Sequence, residues 1–201
     1  MQHLFKKGID STKPTLLLLH GTGGNEHDLL PLATAIDPAA AVLSVRGNIL
    51  ENGMPRFFKR LAEGVFDEED LLFRTKELHT FLDEAAATYE FDRRNLFAVG
   101  YSNGANIAAS LLFLYQPSLR GAMLFHPMVP FRGRKLVNLQ HTPIFIGAGT
   151  NDPICTPDES LELHALLQAA EADVTLHWEQ HGHQLTATEV QAAAMWYQKQ
   201  Q

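Results

Sequence analysis

Three side chains that can together activate a serine occur in the order Ser102, Asp152 and His183. A serine hydroxyl is a weak nucleophile that needs an adjacent imidazole as base, and the imidazole needs a carboxylate to orient it. Ser102 is the centre of the run Gly-Tyr-Ser-Asn-Gly at residues 100–104. This pattern is typical of a sharp turn between a strand and a helix that lifts the serine above a sheet. The residues therefore predict covalent catalysis by a serine nucleophile.

The base and the acid each have a competing neighbour in the sequence. His181 shares a loop with His183, and we favour His183 because the residue after Gly182 has the freer backbone approach to a site above a sheet. His181 stays the alternative. Asp173 begins a predicted strand instead of ending one, which places it at the opposite edge, so Asp152 is the predicted acid.

Backbone N–H groups of two loops are the predicted binders of a negatively charged reaction oxygen. Thr22 lies in the glycine-rich run His-Gly-Thr-Gly-Gly-Asn at residues 20–25, directly after an apolar segment, and Asn103 follows the predicted nucleophile. Donors at these two places form an oxyanion hole in enzymes that use a serine at such a turn. A phosphate-binding loop is the alternative, but residues 20–25 lack both the Rossmann glycine spacing and the Walker lysine.

Strands and helices alternate along the segments that carry these residues. Apolar runs predict strands at 15–19, 41–45, 96–99, 121–125, 143–149 and 174–178, and helical periodicity predicts helices at 27–37, 69–89, 107–115, 157–171 and 186–199. Such alternation predicts an α/β protein with a mainly parallel sheet and helices on both faces. We expect a single domain over residues 1–201. Ser102, Asp152 and His183 each follow a strand at the same sheet edge and can therefore converge.

The segment 46–70 has no clear period, although three phenylalanines argue against disorder. Segments of this length in compact domains are usually functional, and we expect this one to lie beside Ser102 and to line the substrate pocket. A packed surface excursion is an equal alternative for its charged residues. The predicted pocket residues are Leu29, Phe57, Phe58, Phe66, Ile154 and Leu185.

Composition excludes several function classes. The net charge of -7 argues against a nucleic-acid surface, and no apolar stretch has the length of a membrane span. The single cysteine, Cys155, excludes an internal disulfide, and the histidines match no zinc pattern, so no metal is expected. The first eight residues lack the apolar core of a signal peptide, and we expect a cytoplasmic enzyme.

Taken together, these motifs resemble the small bacterial carboxylesterases in the phospholipase/carboxylesterase branch of the α/β-hydrolase superfamily, a branch that includes the acyl-protein thioesterases. The resemblance covers nearly the whole chain. Its most specific part, Arg-Gly-Asn at 46–48 through Arg-Phe-Phe at 56–58, is similar to members associated with hydroquinone and quinone stress in bacteria. Acyl-protein thioesterases usually have other residues where this chain has Asn103, Ala148 and Cys155, which argues against a protein-depalmitoylating role. The motifs that carry the resemblance lie at 20–25, 100–105, 149–154 and 181–183.

The resemblance implies a fold without a large cap domain and hydrolysis of short-chain acyl esters through an acyl-enzyme. By this reading Ser102 attacks the ester, His183 transfers the proton, Asp152 orients His183, and no cofactor is required. The partner is a small-molecule ester; the oligomeric state stays open, a homodimer included. A thioesterase or lysophospholipase with the same three residues is the alternative function, and a non-catalytic binding protein of this fold is a weaker one.

Overall fold

Eleven strands, seven of them in one central sheet, are present in the computed structural model, which describes residues 1–201. The strands are β1 (His3–Lys6), β2 (Thr15–Leu19), β3 (Val42–Val45), β4 (Ile49–Glu51), β5 (Met54–Arg56), β6 (Arg60–Ala62), β7 (Val65–Phe66), β8 (Leu96–Tyr101), β9 (Gly121–Phe125), β10 (Pro143–Gly149) and β11 (Asp173–Glu179). The central order is β1-β3-β2-β8-β9-β10-β11, and β1 alone runs antiparallel to its neighbour. The predicted α/β class with a mainly parallel sheet is confirmed.

Helices cover both faces of this sheet, as the alternating pattern predicts. They are α1 (Leu30–Ile36), α2 (Glu68–Tyr89), α3 (Asn103–Leu114), α4 (Pro157–Ala169) and α5 (Ala187–Gln198). One core contains residues of α2, α3 and α4, and the other contains residues of α1 and α5. No helix combines the length and the apolar character that crossing a membrane requires.

The position of the central strand β2 between two cores explains why its sequence is apolar without interruption. Successive side chains of a strand point to opposite faces of the sheet. Leu17 and Leu19 belong to the core under α2, α3 and α4, whereas Leu16 and Leu18 belong to the core under α1 and α5. All four are completely buried, as expected for a strand covered on both sides.

The segment 46–70, after β3, was predicted to be irregular, and the structure differs from this prediction. It forms two small antiparallel hairpins, β4–β5 and β6–β7. Asn52 and Gly53 connect β4 to β5 with φ values of 53° and 80°. An Asn-Gly pair is the preferred two-residue hairpin connection because both positions need a positive φ, so the sequence did contain a signal for the first hairpin.

The bounds of two helices and the presence of one strand also differ from the predictions. Helix α1 spans 30–36 instead of 27–37, with Pro31 in its first turn, and α3 begins at Asn103 instead of residue 107. The apolar pattern of α3 marks only its middle, because the turn at Ser102 leads directly into the helix. The short edge strand β1 was not predicted.

Close packing between α3 and the sheet requires glycine at two places. A Cβ atom on Gly104 would overlap the carbonyl oxygen of Leu19 in β2, and a Cβ on Gly100 would lie 2.7 Å from the Cα of Ala105. Neither backbone can give way without moving the helix from the sheet. The two glycines therefore set how closely the start of α3 approaches β2 and β8.

Gly104→Ala is expected to lower the free energy of unfolding by about 3 kcal/mol or more, because the added methyl group meets backbone atoms on a central strand. The measurement is urea unfolding followed by circular dichroism. Gly133→Ala is the matched control: Gly133 has φ 68° and nothing within 4 Å of an added methyl group, so only its left-handed backbone opposes the change, at about 1 kcal/mol. Equal losses for the two variants would contradict this account of Gly104.

Candidate active site

Ser102 stands at the turn between β8 and α3 in a strained backbone conformation. Its φ is 51° and its ψ is -114°, a combination that non-glycine residues rarely adopt. The turn is fixed because the Ser102 N–H donates to the carbonyl of Phe125 at 2.9 Å and the Ser102 carbonyl accepts from the N–H of Asn106 at 3.0 Å. Strain of this kind persists only where the surroundings over-determine it. Here it presents the hydroxyl at the carboxyl edge of the sheet.

Two hydrogen bonds through His183 connect the three side chains predicted to act together. Nε2 of His183 is 2.9 Å from Oγ of Ser102, and Nδ1 of His183 is 2.8 Å from Oδ2 of Asp152. With its proton on Nδ1, His183 donates a hydrogen bond to the carboxylate and accepts one from the Ser102 hydroxyl at Nε2. We refer to these three residues as the triad.

The competing residues lie elsewhere. His181 is exposed and makes no hydrogen bond to Ser102 or Asp152. Asp173 is the first residue of β11 and therefore lies at the far edge of the sheet. Gly182 has φ 61°, so the residue before His183 uses the conformational freedom that the sequence argument assigned to it.

Asp152 is buried and accepts hydrogen bonds at both carboxylate oxygens. Oδ1 accepts from the N–H groups of Ile154 at 2.8 Å and Cys155 at 2.9 Å, while Oδ2 faces Nδ1 of His183 at 2.8 Å and Nδ1 of His126 at 3.0 Å. Burial opposes the charged form, but the N–H donors and His183 outweigh it and lower the pKa of Asp152. The group is therefore a carboxylate at neutral pH.

The two N–H groups predicted to bind an oxyanion belong to residues that border the same cavity as Ser102. Asn103 is the first residue of α3, so its N–H has no acceptor within the helix and lies at the positive end of the helix dipole. Thr22 lies in the loop after β2, and the neighbouring Gly23 N–H donates to the carbonyl of Pro55 at 2.9 Å.

The β4–β5 hairpin braces both of these residues through consecutive positions. Nη1 of Arg56 donates to Oγ1 of Thr22 at 2.7 Å, and the N–H of Phe57 donates to Oδ1 of Asn103 at 2.7 Å. Arg56 is 4% exposed and pairs with Glu51 across the hairpin, with Nε 3.2 Å from Oε2. The hairpin thus supports both of the loops that carry the candidate oxyanion donors.

A cavity of about 220 Å³ opens at Ser102 and His183. Phe66 and Ile154 line it, in the places that the sequence predicts for them. The full lining is Thr22, Arg56, Arg60, Glu63, Gly64, Phe66, Tyr101, Ser102, Asn103, Asn106, Met128, Ile154, Cys155 and His183.

The other predicted pocket residues lie outside this cavity, which corrects the prediction. Phe57 and Phe58 are completely buried in the core under α2 and α3, where burial of two large rings is more favourable than contact with an open cavity. Leu29 and Leu185 line a separate groove between α1 and α5, because their side chains pack with the core on that face.

Several residues of the site were missed or only loosely placed by sequence reasoning. Tyr101 lines the cavity, and its hydroxyl donates to the carbonyl of His183 at 2.7 Å. Arg56 and Arg60 line it from the hairpins, where neither follows a central strand. His126 lies against Asp152, and its position directly after β9 was a usable signal, because Ser102, Asp152 and His183 also follow sheet strands.

Comparison with known proteins shows that this chain is similar to hydrolases. The model of the dienelactone hydrolase family matches residues 60–200. The protein MhqD of Bacillus subtilis (strain 168), which is named as a hydrolase, is 58% identical over 199 residues, or 99% of this chain and 98% of MhqD.

Two solved structures of bacterial carboxylesterases are also similar. The carboxylesterase of Bacillus cereus has a TM-score of 0.99 and 68% identity, covering 100% of this chain and 94% of that one. The carboxylesterase of Mesorhizobium loti has a TM-score of 0.88 and 30% identity, covering 92% of this chain and 88% of that one.

Asp152→Asn is expected to destabilise the protein most at neutral pH. Because the pKa of Asp152 is lower in the folded state than its ordinary value of 3.8, the carboxylate contributes stability above that value and loses it as the pH falls through the folded-state pKa. The difference in unfolding free energy between wild type and variant, measured by urea unfolding, should therefore shrink as the pH falls below about 4 toward the lower folded-state pKa. Asp173→Asn, at an exposed site, is the control. A difference for Asp152→Asn that stays constant with pH would contradict the assignment.

Proposed function

Since the chain belongs to the dienelactone hydrolase family of α/β-hydrolases and is a hydrolase of the carboxylesterase type, we propose that it cleaves short-chain acyl esters with the triad. The observation that carries the proposal is the continuous chain of hydrogen bonds from the Ser102 hydroxyl through His183 to Asp152, at one wall of a cavity.

Acylation begins when Oγ of Ser102 attacks the ester carbonyl carbon and His183 accepts the hydroxyl proton at Nε2. The carbonyl oxygen becomes negative in the tetrahedral intermediate, and the N–H groups of Thr22 and Asn103 are the candidate donors to it. Collapse of the intermediate breaks the bond to the alcohol oxygen, which takes the proton from His183. The acyl group is left on Ser102.

Deacylation repeats these steps with water as the nucleophile. His183 accepts a water proton at Nε2 while the water oxygen attacks the acyl carbon, and the same N–H groups stabilise the second intermediate. The carboxylic acid leaves as the bond to Oγ breaks, and His183 returns the proton to Ser102. Asp152 keeps the imidazole proton on Nδ1 throughout and stabilises the imidazolium form.

The size of the cavity supports short acyl chains. Its volume of about 220 Å³ is below the ~300–1,000 Å³ of pockets that enclose drug-sized ligands. Phe66 and Met128 provide apolar contact, whereas Arg56, Arg60 and Glu63 make much of the remaining wall polar. A long alkyl chain would find little continuous apolar surface there.

Ser102→Ala is expected to lower ester turnover by several powers of ten, because removal of a triad nucleophile eliminates almost all of the chemical acceleration. The measurement is hydrolysis of p-nitrophenyl esters from acetate to palmitate, with acetate to butyrate expected to be the best substrates. Ser11→Ala, at an exposed position, is the matched control and should keep wild-type rates.

Cys155→Ala tests the second nucleophilic atom on the cavity wall. Its thiol is buried, which raises the pKa of Cys155 and keeps it protonated, so this variant should retain turnover within about tenfold.

If Ser102→Ala matches wild type on every ester, the proposal is wrong. A preference for long acyl thioesters or lysolipids would retain the triad but replace the short-chain substrate by that of a thioesterase or lysophospholipase.

A further inference from the structure

His126 is a completely buried imidazole that the triad mechanism does not use. It follows β9 with a φ of 52°, and its N–H donates to the carbonyl of Gly147 at 2.8 Å. Its own carbonyl accepts from Sγ of Cys155 at 3.0 Å. The backbone on both sides is therefore fixed, and the ring has a single defined place beside the triad.

The ring of His126 lies between two buried carboxylates. Nδ1 is 3.0 Å from Oδ2 of Asp152, and Nε2 is 3.4 Å from Oε2 of Glu189. Glu189 is completely buried in the first turn of α5, and neither of its carboxylate oxygens has a hydrogen-bond partner. Its approach depends on Gly147, since a Cβ there would overlap the carboxylate. Nε2 of His126 likewise has no hydrogen-bond partner, and it is the basic nitrogen within ion-pair distance of this carboxylate.

The proton count of this cluster follows from elementary chemistry. A neutral imidazole has one N–H, so one of its nitrogens would present a lone pair to a carboxylate. The repulsion between that lone pair and the carboxylate is avoided when a second proton lies between Nε2 of His126 and Glu189. The first proton then stays on Nδ1 and faces Asp152. Burial opposes the imidazolium, but Glu189 and Asp152 outweigh it and raise the pKa of His126.

Resting on the proposed function, we propose that His126, paired with Glu189, is a positioning residue that shares the Asp152 carboxylate with His183. By donating from Nδ1 to the same oxygen that His183 uses, it limits how strongly Asp152 holds an extra proton on His183. Because Glu189 balances the charge of His126, the negative charge of Asp152 is not cancelled. Nε2 of His183 then keeps its lone pair toward the Ser102 hydroxyl, 2.9 Å away.

The other ionisable groups near the cluster are either uncharged or paired elsewhere, so they do not change the charge balance around Asp152. Tyr101, from β8, faces both imidazoles, and burial followed by Asp152 and Glu189 raises the pKa of its phenol. Burial likewise keeps the Cys155 thiol protonated. Glu159, from α4, is paired with Arg132. Asp152, Glu189, His126 and His183 are therefore the groups whose charges matter here.

Two amide substitutions separate the two nitrogens of His126. The amide of Asn reaches the place of Nδ1, so His126→Asn keeps a donor toward Asp152, whereas His126→Gln keeps one toward Glu189. We expect His126→Gln to raise the acid limb of the kcat/KM profile by about one pH unit, because His183 alone then balances Asp152. At acid pH, kcat/KM of His126→Gln should then be about tenfold lower than that of wild type. On the alkaline plateau the two values of kcat/KM should agree within about twofold. His126→Asn should stay within a few tenths of a unit of wild type.

Two results would overturn the proposal. One is an unchanged acid limb in His126→Gln, and the other is the same shift in both variants, which indicates a packing role only. Thermal unfolding of both variants establishes that they are folded at the assay temperature.

A measurement on the wild-type protein does not depend on the variants. Nitrogen-15 NMR of the labelled imidazoles should show the His126 proton on Nδ1 across the pH range in which His183 titrates. An unprotonated Nδ1 would overturn the proposal. The same spectra give the pKa of His183 directly in wild type and His126→Gln, so this inference is tested even if no ester is turned over and the proposed function fails.

Discussion

The close approach of the first turn of α3 to the end of β2 is the constraint on which the site depends. Glycine at position 104 permits this approach, and almost every side chain of α3 is buried. The packing of this helix offsets the strain of about 1–3 kcal/mol that a residue in the conformation of Ser102 stores. This close packing, together with the backbone hydrogen bonds of Ser102, holds Ser102 and Asn103 at the wall of the cavity that both residues line.

The residues at the ends of central strands were predictable because parallel strands bring their carboxyl ends to one edge. Ser102, Asp152 and His183 follow β8, β10 and β11, and no detail of side-chain packing is needed to bring them together. The pocket wall was not predictable in this way. Hydrophobicity favoured Phe57 over Arg56, yet the phenylalanine fills the core and the arginine faces the cavity. Only the register of a short hairpin decides between such neighbours.

The edge of the sheet is also a place where buried charge is balanced locally. Asp152 accepts four hydrogen bonds, two from backbone N–H groups and two from imidazoles. Glu189, in the first turn of α5, faces the imidazole of His126. Unpaired charges in such an interior cost several kcal/mol each, so these groups depend on one another. This mutual dependence links α5 to the triad, although no residue of that helix lines the cavity.

The order of the strands in the chain also has a consequence for biosynthesis. His183 follows Ser102 by 81 residues, and β11 pairs with β10 at the end of the sheet. At the usual rate of translation, about ten seconds separate the appearance of the two residues at the ribosome. Ser102 is therefore synthesised well before the imidazole that activates it. The hydroxyl of Ser102 therefore has no base to activate it until β10, β11 and the loop with His183 have been synthesised and folded.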